Sequence, residues 1–422
     1  MKSKSKSKSQ APLDPAIAEL LRANVGRKPG LVRIKLRRMA ADPFAFFRGA
    51  DPLFATAWPE LKPPDVGPAI LICGDLHLEN FGAYRTEGGE FRFGINDFDE
   101  ALVAPCSLDL VRCAASILLA SELWRLTPTG ATGMVLTYLD SYRAATADPE
   151  PGEVAPTSGH GAIWDLLSAT AAGSQVALLD HVTRRKRSGC RAFRDVCNHP
   201  RISPRRAEVV RDAIAAYLEE QAKVKGDGDP PQVLDLTGRV AGVGSLGVRR
   251  YLALVGDGKD HDAARIIDVK ECSPPALLSC ALGPQPPYQD DADRVISAQR
   301  QLQGHSAAGL GTLMIGHRPC RVREMIPDEN RASLDRLRRL PDRLREAVAI
   351  AGRLTAWSQM RGAKVGNDDR TAKLTRWASG PALDAVLASA ARVAERTNRD
   401  YAAFRAAEQG GKLDPRRVAV ES

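Results

Sequence analysis

The 422-residue chain has no apolar run long enough to cross a membrane. Its most apolar stretch, Ala114–Ala120, falls far short of the roughly 20 residues a spanning helix needs. An export signal of the usual kind is also lacking, because Met1–Gln10 alternates Lys and Ser and has no apolar core. Residues 1–14 therefore read as a disordered basic tail. None of the eight cysteines has C-x-x-C spacing, and Cys190, Cys197 and His199 fit no usual zinc arrangement. These absences exclude a spanning membrane protein and a zinc module, and they predict a cytoplasmic protein with reduced thiols.

The chain does carry positive charge, with 60 Lys and Arg against 51 Asp and Glu, a formal net charge of +9. That excess suits an anionic partner such as a nucleotide or an anionic substrate. Charge alone would also permit non-specific nucleic-acid contact, but no recognition motif supports specific binding. The length allows two to three domains.

Turn residues divide the chain. Residues from Pro15 to Met39 read as basic and helical, and Asp42–Gly49 as an aromatic cluster ending in Arg48 and Gly49. Arg48 either orders a nearby carboxylate or makes a surface salt bridge. Ala69–Cys73 reads as a buried strand, and Phe81–Tyr84 with Phe91–Ile95 as a hairpin turned at Thr86–Gly89. Ser107 is placed as the cap of a helix running to about Leu126. The Gly/Pro run Lys225–Pro231 is the best internal boundary. Strands are then expected at Val233–Val240, Val248–Val255, Arg265–Val269 and Arg321–Ile326, and a helix at Asp290–Gln303. From Ser333 the pattern is helical, with Leu334, Leu337, Leu340, Leu344 and Val348 in phase and Pro341 as an interruption, and a last helix starts near Pro381. The expected division is a helical lobe over 15–230, a small β lobe over 231–330 and C-terminal helices over 331–422 that return to the helical lobe.

The chemistry concentrates in Gly74-Asp75-Leu76-His77-Leu78-Glu79-Asn80 and Asn96-Asp97-Phe98-Asp99. Phosphoryl transfer needs positioning, charge neutralisation and a base near the acceptor hydroxyl. Asp75 can be that base and His77 can brace its loop. The Asn80 carbonyl and the Asp97 carboxylate can hold Mg²⁺. The bland alternative is a polar turn between two strands.

A second element is Gly242-Val243-Gly244-Ser245-Leu246-Gly247. It runs into Val248–Val255, which has strand character, whereas a dinucleotide fingerprint would open a helix. Strand, glycine loop, strand is how a kinase folds backbone over ATP phosphates. The next strand ends in Lys270, placed to pair phosphates or simply to face water. These parts are in the reverse of kinase order, since the glycine loop follows the catalytic loop by well over a hundred residues. The order implies circular permutation, which is tolerated when the break falls in an exposed loop.

These blocks, with Asp42–Gly49 and Val269-Lys270-Glu271, resemble the DUF2252 family of bacterial domains of unknown function over roughly residues 30 to 410. Its catalytic blocks are similar to those of aminoglycoside and choline phosphotransferases. The resemblance implies an α+β, protein-kinase-like two-lobe fold in circularly permuted order, with a small antiparallel β lobe and a larger, mainly helical lobe. It implies Asp75 as base, Asn80 and Asp97 as metal ligands, Asp109 as a brace of the catalytic loop, Asp99 in support and Lys270 on phosphate, with ATP and Mg²⁺ as cofactors. The sequence departs from the pattern twice. The helix Asp290–Gln303 contains no Glu to pair with Lys270, leaving Gln299, Asp293 or Glu271 as substitutes, and Ser358 stands where the family usually has His.

The expected activity is an ATP- and Mg²⁺-dependent transfer to a small acceptor, for which the basic loop Arg184–Arg187 is a candidate contact. A nucleotide-binding pseudokinase-like regulator and a nucleotidyl transferase are the alternatives. A two-metal phosphoesterase needs further His and Asp ligands, and His160, His181, His199, His261, His305 and His317 fall in no such pattern.

Overall fold

Proline opens many of the helices. Pro15, Pro29, Pro43, Pro128, Pro204 and Pro341 each sit at the first helical position, where a missing N–H leaves no helix bond unmade. Pro341 is thus a start and not an interruption: Leu340 before it lies outside the helical region, which the proline ring disfavours for its predecessor. The computed structural model describes residues 14–173, 175–187, 189–226, 229–325, 337 and 339–414. The basic tail up to residue 13 and the first part of the expected C-terminal helix, Leu334 included, lie outside the described residues.

The chain is a mixed α+β protein with antiparallel sheets. One large core joins two strand pairs to several helices, five of them the main contributors. The pairs are β1 (Ala69–Ile72) with β4 (Leu102–Pro105), and β2 (Phe81–Arg85) with β3 (Phe91–Ile95). The five helices are Asp51–Leu61, Ser107–Leu123, Pro128–Ala147, Pro341–Gly362 and Asp384–Gln409. The two C-terminal helices pack against Pro128–Ala147 and Ser107–Leu123 respectively. Ser107–Leu123 is buried almost throughout. Ser107 does not cap it. Cys106 already has helical torsions at the cap position, so no extended residue offers an oxygen to the first N–H groups, and Ser107 Oγ is buried without a partner.

The second core surrounds a five-stranded sheet. In chain order its strands are β7 (Gln232–Gly238), β8 (Arg250–Gly256), β9 (Arg265–Glu271), β10 (Gly311–Ile315) and β11 (Arg318–Glu324). Their spatial order is β10-β11-β9-β8-β7. β10 was not expected from the sequence; it forms a hairpin with β11 around Gly316, whose φ of +65° suits glycine. The helix Pro204–Lys225 covers one face through Val210, Ile214 and Tyr217. It therefore belongs with the sheet, although the Gly/Pro run after it marks it as the end of the helical lobe on sequence grounds. The other face is half covered. Leu179, Val182 and Phe193, from the helix Gln175–Val182 and the short pair β5 (Thr183–Arg185) and β6 (Arg191–Phe193), pack on Leu252, Leu254 and Ile266. The rest of that face, bearing Arg250, Lys270 and Arg321, opens on the side of the first core that carries Asp75 and Asp97.

Candidate functional site

Beyond β1 the chain turns at Gly74 with φ of +91°, where a Cβ would collide with the Glu100 carbonyl oxygen. Asp109, in the first turn of Ser107–Leu123, holds this turn from behind. Its carboxylate accepts from the backbone N–H of Cys73 (3.1 Å) and of Gly74 (2.9 Å). Burial pushes its pKa up to about 6 against these bonds. Leu78 N–H donates to Ser116 Oγ at 3.2 Å, and Glu79 N–H to His77 Nδ1 at 3.1 Å. The His77 ring is buried edge-on to Phe44. The Asn80 amide donates to the Asp75 carbonyl and closes the loop on itself. Arg48 pairs with Glu79 at 2.6 Å, so it orders a carboxylate of this loop.

Asp75 Oδ1 is bonded by Arg112. Arg112 is fully buried, lies 4.4 and 4.8 Å from the ring centres of Phe47 and Phe54, and also binds Asp51 at 2.6 Å. Burial raises the Asp75 pKa well above the usual range, with Arg112 opposing and Asp51 and Glu100 adding to the rise. Arg112, Asp51 and Lys35 escaped the sequence reading. For Arg112 a signal existed: an arginine among the apolar residues leading into Ala114–Ala120 needs a buried counter-charge.

The opposite wall is the glycine loop between β7 and β8. Gly242 and Gly247 have φ of +78° and +98°, and Ser245 Oγ donates to the Ala241 carbonyl at 3.2 Å. The loop is clamped by the helix Pro29–Met39 and the turn before it. Arg27 donates to the carbonyls of Gly244 (2.9 Å) and Leu246 (3.2 Å), Lys35 to Gly244 (3.2 Å) and Arg38 to Gly242 (3.2 Å). A Cβ on Gly244 would stand 3.2 Å from the Arg48 carbonyl oxygen, so the loop lies close over the first lobe.

Lys270 is buried on β9 and bonds Asp99. Burial lowers its pKa to about 8, with the Asp97 charge opposing. None of the three substitutes for the missing Glu pairs with it. Gln299 bonds Gln303, Asp293 accepts from Gln289 N–H and Ser297, and Glu271 pairs with Arg318. The helix Asp291–Gln303 instead supplies Arg294, which donates to the carbonyls of Asp99 and Ala101. Deeper in the sheet, Asp268 is wholly buried and bonded by Arg250 and Arg239. Its pKa is lowered, because those guanidiniums outweigh burial.

Between the walls lies a cleft of about 710 Å³. Asp75, His77, Asn80, Asp97, Asp99 and Arg48 line it from one lobe. Gly242, Gly244, Ser245, Gly247 and Lys270 line it from the other. Asp109 lies behind the first wall. Ser358, buried in Pro341–Gly362, and the basic segment Arg184–Arg187, whose first two residues belong to strand β5 and not to a loop, are not part of the lining. A larger cavity of about 1060 Å³ beside Tyr217 and Arg265 contains none of the motif residues.

The donors suit Mg²⁺. Asp97 is exposed, and the Asn80 amide nitrogen is engaged by Asp75, so its Oδ1 is the atom left to face a cation. One carboxylate and one amide oxygen are hard donors that leave room for phosphate oxygens and water. Among the described residues no group of three or more His, Cys, Asp or Glu could hold a metal by itself. All eight cysteines are free, and no single helix among the described residues is long and apolar enough to cross a membrane.

No curated protein and no solved structure matches the chain. The DUF2252 family, described as an uncharacterized protein conserved in bacteria, matches residues 27–407. With nearly its whole length matched, the chain belongs to the DUF2252 family.

Proposed function

We propose that the protein is a kinase-like phosphotransferase that uses ATP and Mg²⁺ on a small acceptor, with its two lobes in circularly permuted order. The observation that carries this reading is the convergence on one cleft of Asp75, Asn80 and Asp97 with the glycine loop and Lys270, from segments far apart in the chain. Asn80 and Asp97 would hold Mg²⁺, which supplies neutralisation of phosphate charge when bound. Asp75 acts as the base. Burial raises its proton affinity toward the range where a carboxylate takes a proton from a hydroxyl, while Arg112 fixes the position of Oδ1. Glycine-loop backbone and Lys270 face the phosphates, Lys270 exchanging its Asp99 partner for phosphate oxygen.

The test is ATP binding and consumption by the purified protein over a panel of hydroxyl and amino compounds. Asp97→Ala is expected to abolish the Mg²⁺-dependent part of ATP binding. Asp75→Ala is expected to keep binding and lose about 10²–10⁴-fold in turnover, the usual contribution of a positioned base. Unchanged nucleotide binding in Asp97→Ala would count decisively against the proposal. A second reading, nucleotide binding without turnover, is favoured by the ion pairs that already occupy Asp75 and Lys270. Product mass separates both from nucleotidyl transfer.

A further inference from the structure

The cleft-facing side of the sheet holds more positive charge than its carboxylates match. Arg250 on β8, Lys270 on β9 and Arg321 on β11 stand directly opposite one another across three adjacent strands. Arg323 follows one row along, opposite Asp268. Like charges opposed across strands destabilise a sheet, and burial makes the repulsion worse.

Three of these four cations have close partners: Arg250 bonds Asp268, Lys270 bonds Asp99, and Arg323 Nη1 donates to the Asn96 carbonyl at 2.8 Å. Arg321 approaches Asp99 only to 3.5 Å and Asp268 to 4.0 Å, and Arg323 Nε stays 3.8 Å from Asp268. Arg321 Nη1 and Arg323 Nε are sealed from solvent without a hydrogen-bond partner, on side chains that are nearly fully buried and line the cleft. An N–H held this way lacks an acceptor that an oxyanion would provide. The two arginines lie two residues apart on one strand, roughly 6–7 Å along the chain, so they address more than one anionic group. The described residues lining the cleft include no Phe, Tyr or Trp on which a base would stack.

We infer that Arg321 and Arg323 form a binding site for consecutive phosphoryl groups, and that the cleft recognises a polyphosphate chain whatever base is attached to it. This deepens the phosphotransferase reading by naming its donor class, but requires neither metal nor turnover. Asp99 competes with the ligand for Lys270 and Arg321. Removing its charge therefore strengthens metal-free binding.

Calorimetric titration of the full chain in chelator, with sodium tripolyphosphate, ATP, GTP and adenosine, tests this. Tripolyphosphate, ATP and GTP are expected to bind with comparable affinity and adenosine not at all. Asp99→Asn is expected to tighten tripolyphosphate roughly fivefold, the scale of one partly exposed ion pair. Arg321→Gln is expected to weaken it by about tenfold or more, the value of a charge-assisted bond. If Arg321→Gln does not fold, the partly exposed Asp99→Asn decides alone. Failure of tripolyphosphate to bind, or adenosine binding as well as ATP with Asp99→Asn silent, overturns the inference and leaves the phosphotransferase reading standing. Tripolyphosphate binding without any Mg²⁺-dependent use of ATP upholds the inference and removes that reading.

Discussion

Arg112 sits in a helix buried almost throughout, with Asp51 and Asp75 on one guanidinium and the Phe47 and Phe54 rings close against it. Removing it leaves two carboxylates facing each other in a water-poor pocket. Arg112→Met is expected to lower unfolding stability by about 3–5 kcal/mol, measured by urea denaturation. The arginine was legible as an anomaly in an apolar run. Its partners were not, because they come from 61 and 37 residues earlier and no local periodicity links such positions. Lys35 gives a pH signature. Burial, with Arg27 adding to it, lowers its pKa to about 7 against Asp51, Asp75 and Glu100. The unfolded chain keeps this proton up to about pH 10.4, whereas the folded chain releases it near neutrality. Between those limits the unfolded state binds more protons, so the Lys35 contribution to stability rises with pH. Below pH 7 both states are protonated and the contribution is flat at its least favourable. Urea midpoints at about pH 6 and about pH 9 are expected to show a smaller rise in Lys35→Met than in the parent protein.

The glycine loop is the element whose setting most affects the site. Its carbonyls are held by Arg27, Lys35 and Arg38, so its position over the cleft is fixed by the helix Pro29–Met39 and the turn before it rather than by β7 and β8 alone. Arg27→Ala combined with Arg38→Ala is expected to speed amide hydrogen exchange in Gly242–Gly247 about tenfold while β8 and β9 stay protected. Equal protection in the variant and the parent would show that the clamp is dispensable. Strands β7, β8, β9 and the β2–β3 hairpin could be placed from sequence because Gly, Asp and Thr turns bracket apolar runs of strand length. Ser107 was misplaced as a cap because the chain leaves β4 already in helical conformation, which residue type does not reveal. Helix Pro204–Lys225 was grouped with the wrong core because a breaker run marks the end of an element, not the surface on which that element packs.

At the scale of the whole molecule, the decisive contacts join positions far apart in sequence. Lys270 meets Asp99 across 171 residues, and Arg27 meets Gly244 across 217. The residue types of the cleft were readable in the sequence because each motif is local. The pairing of Lys270 was not, since it depends on how one lobe seats on the other. The proposed chemistry requires both walls of the cleft to serve one ligand. A double-mutant cycle on Mg²⁺-ATP binding, with Asp97→Ala from one wall, Lys270→Ala from the other and the two combined, tests it most directly. Shared action on one triphosphate is expected to appear as weaker binding in each single variant and a coupling energy of about 1 kcal/mol or more. Effects that add within about 0.3–0.5 kcal/mol, or single variants that bind as the parent does, would contradict a common site.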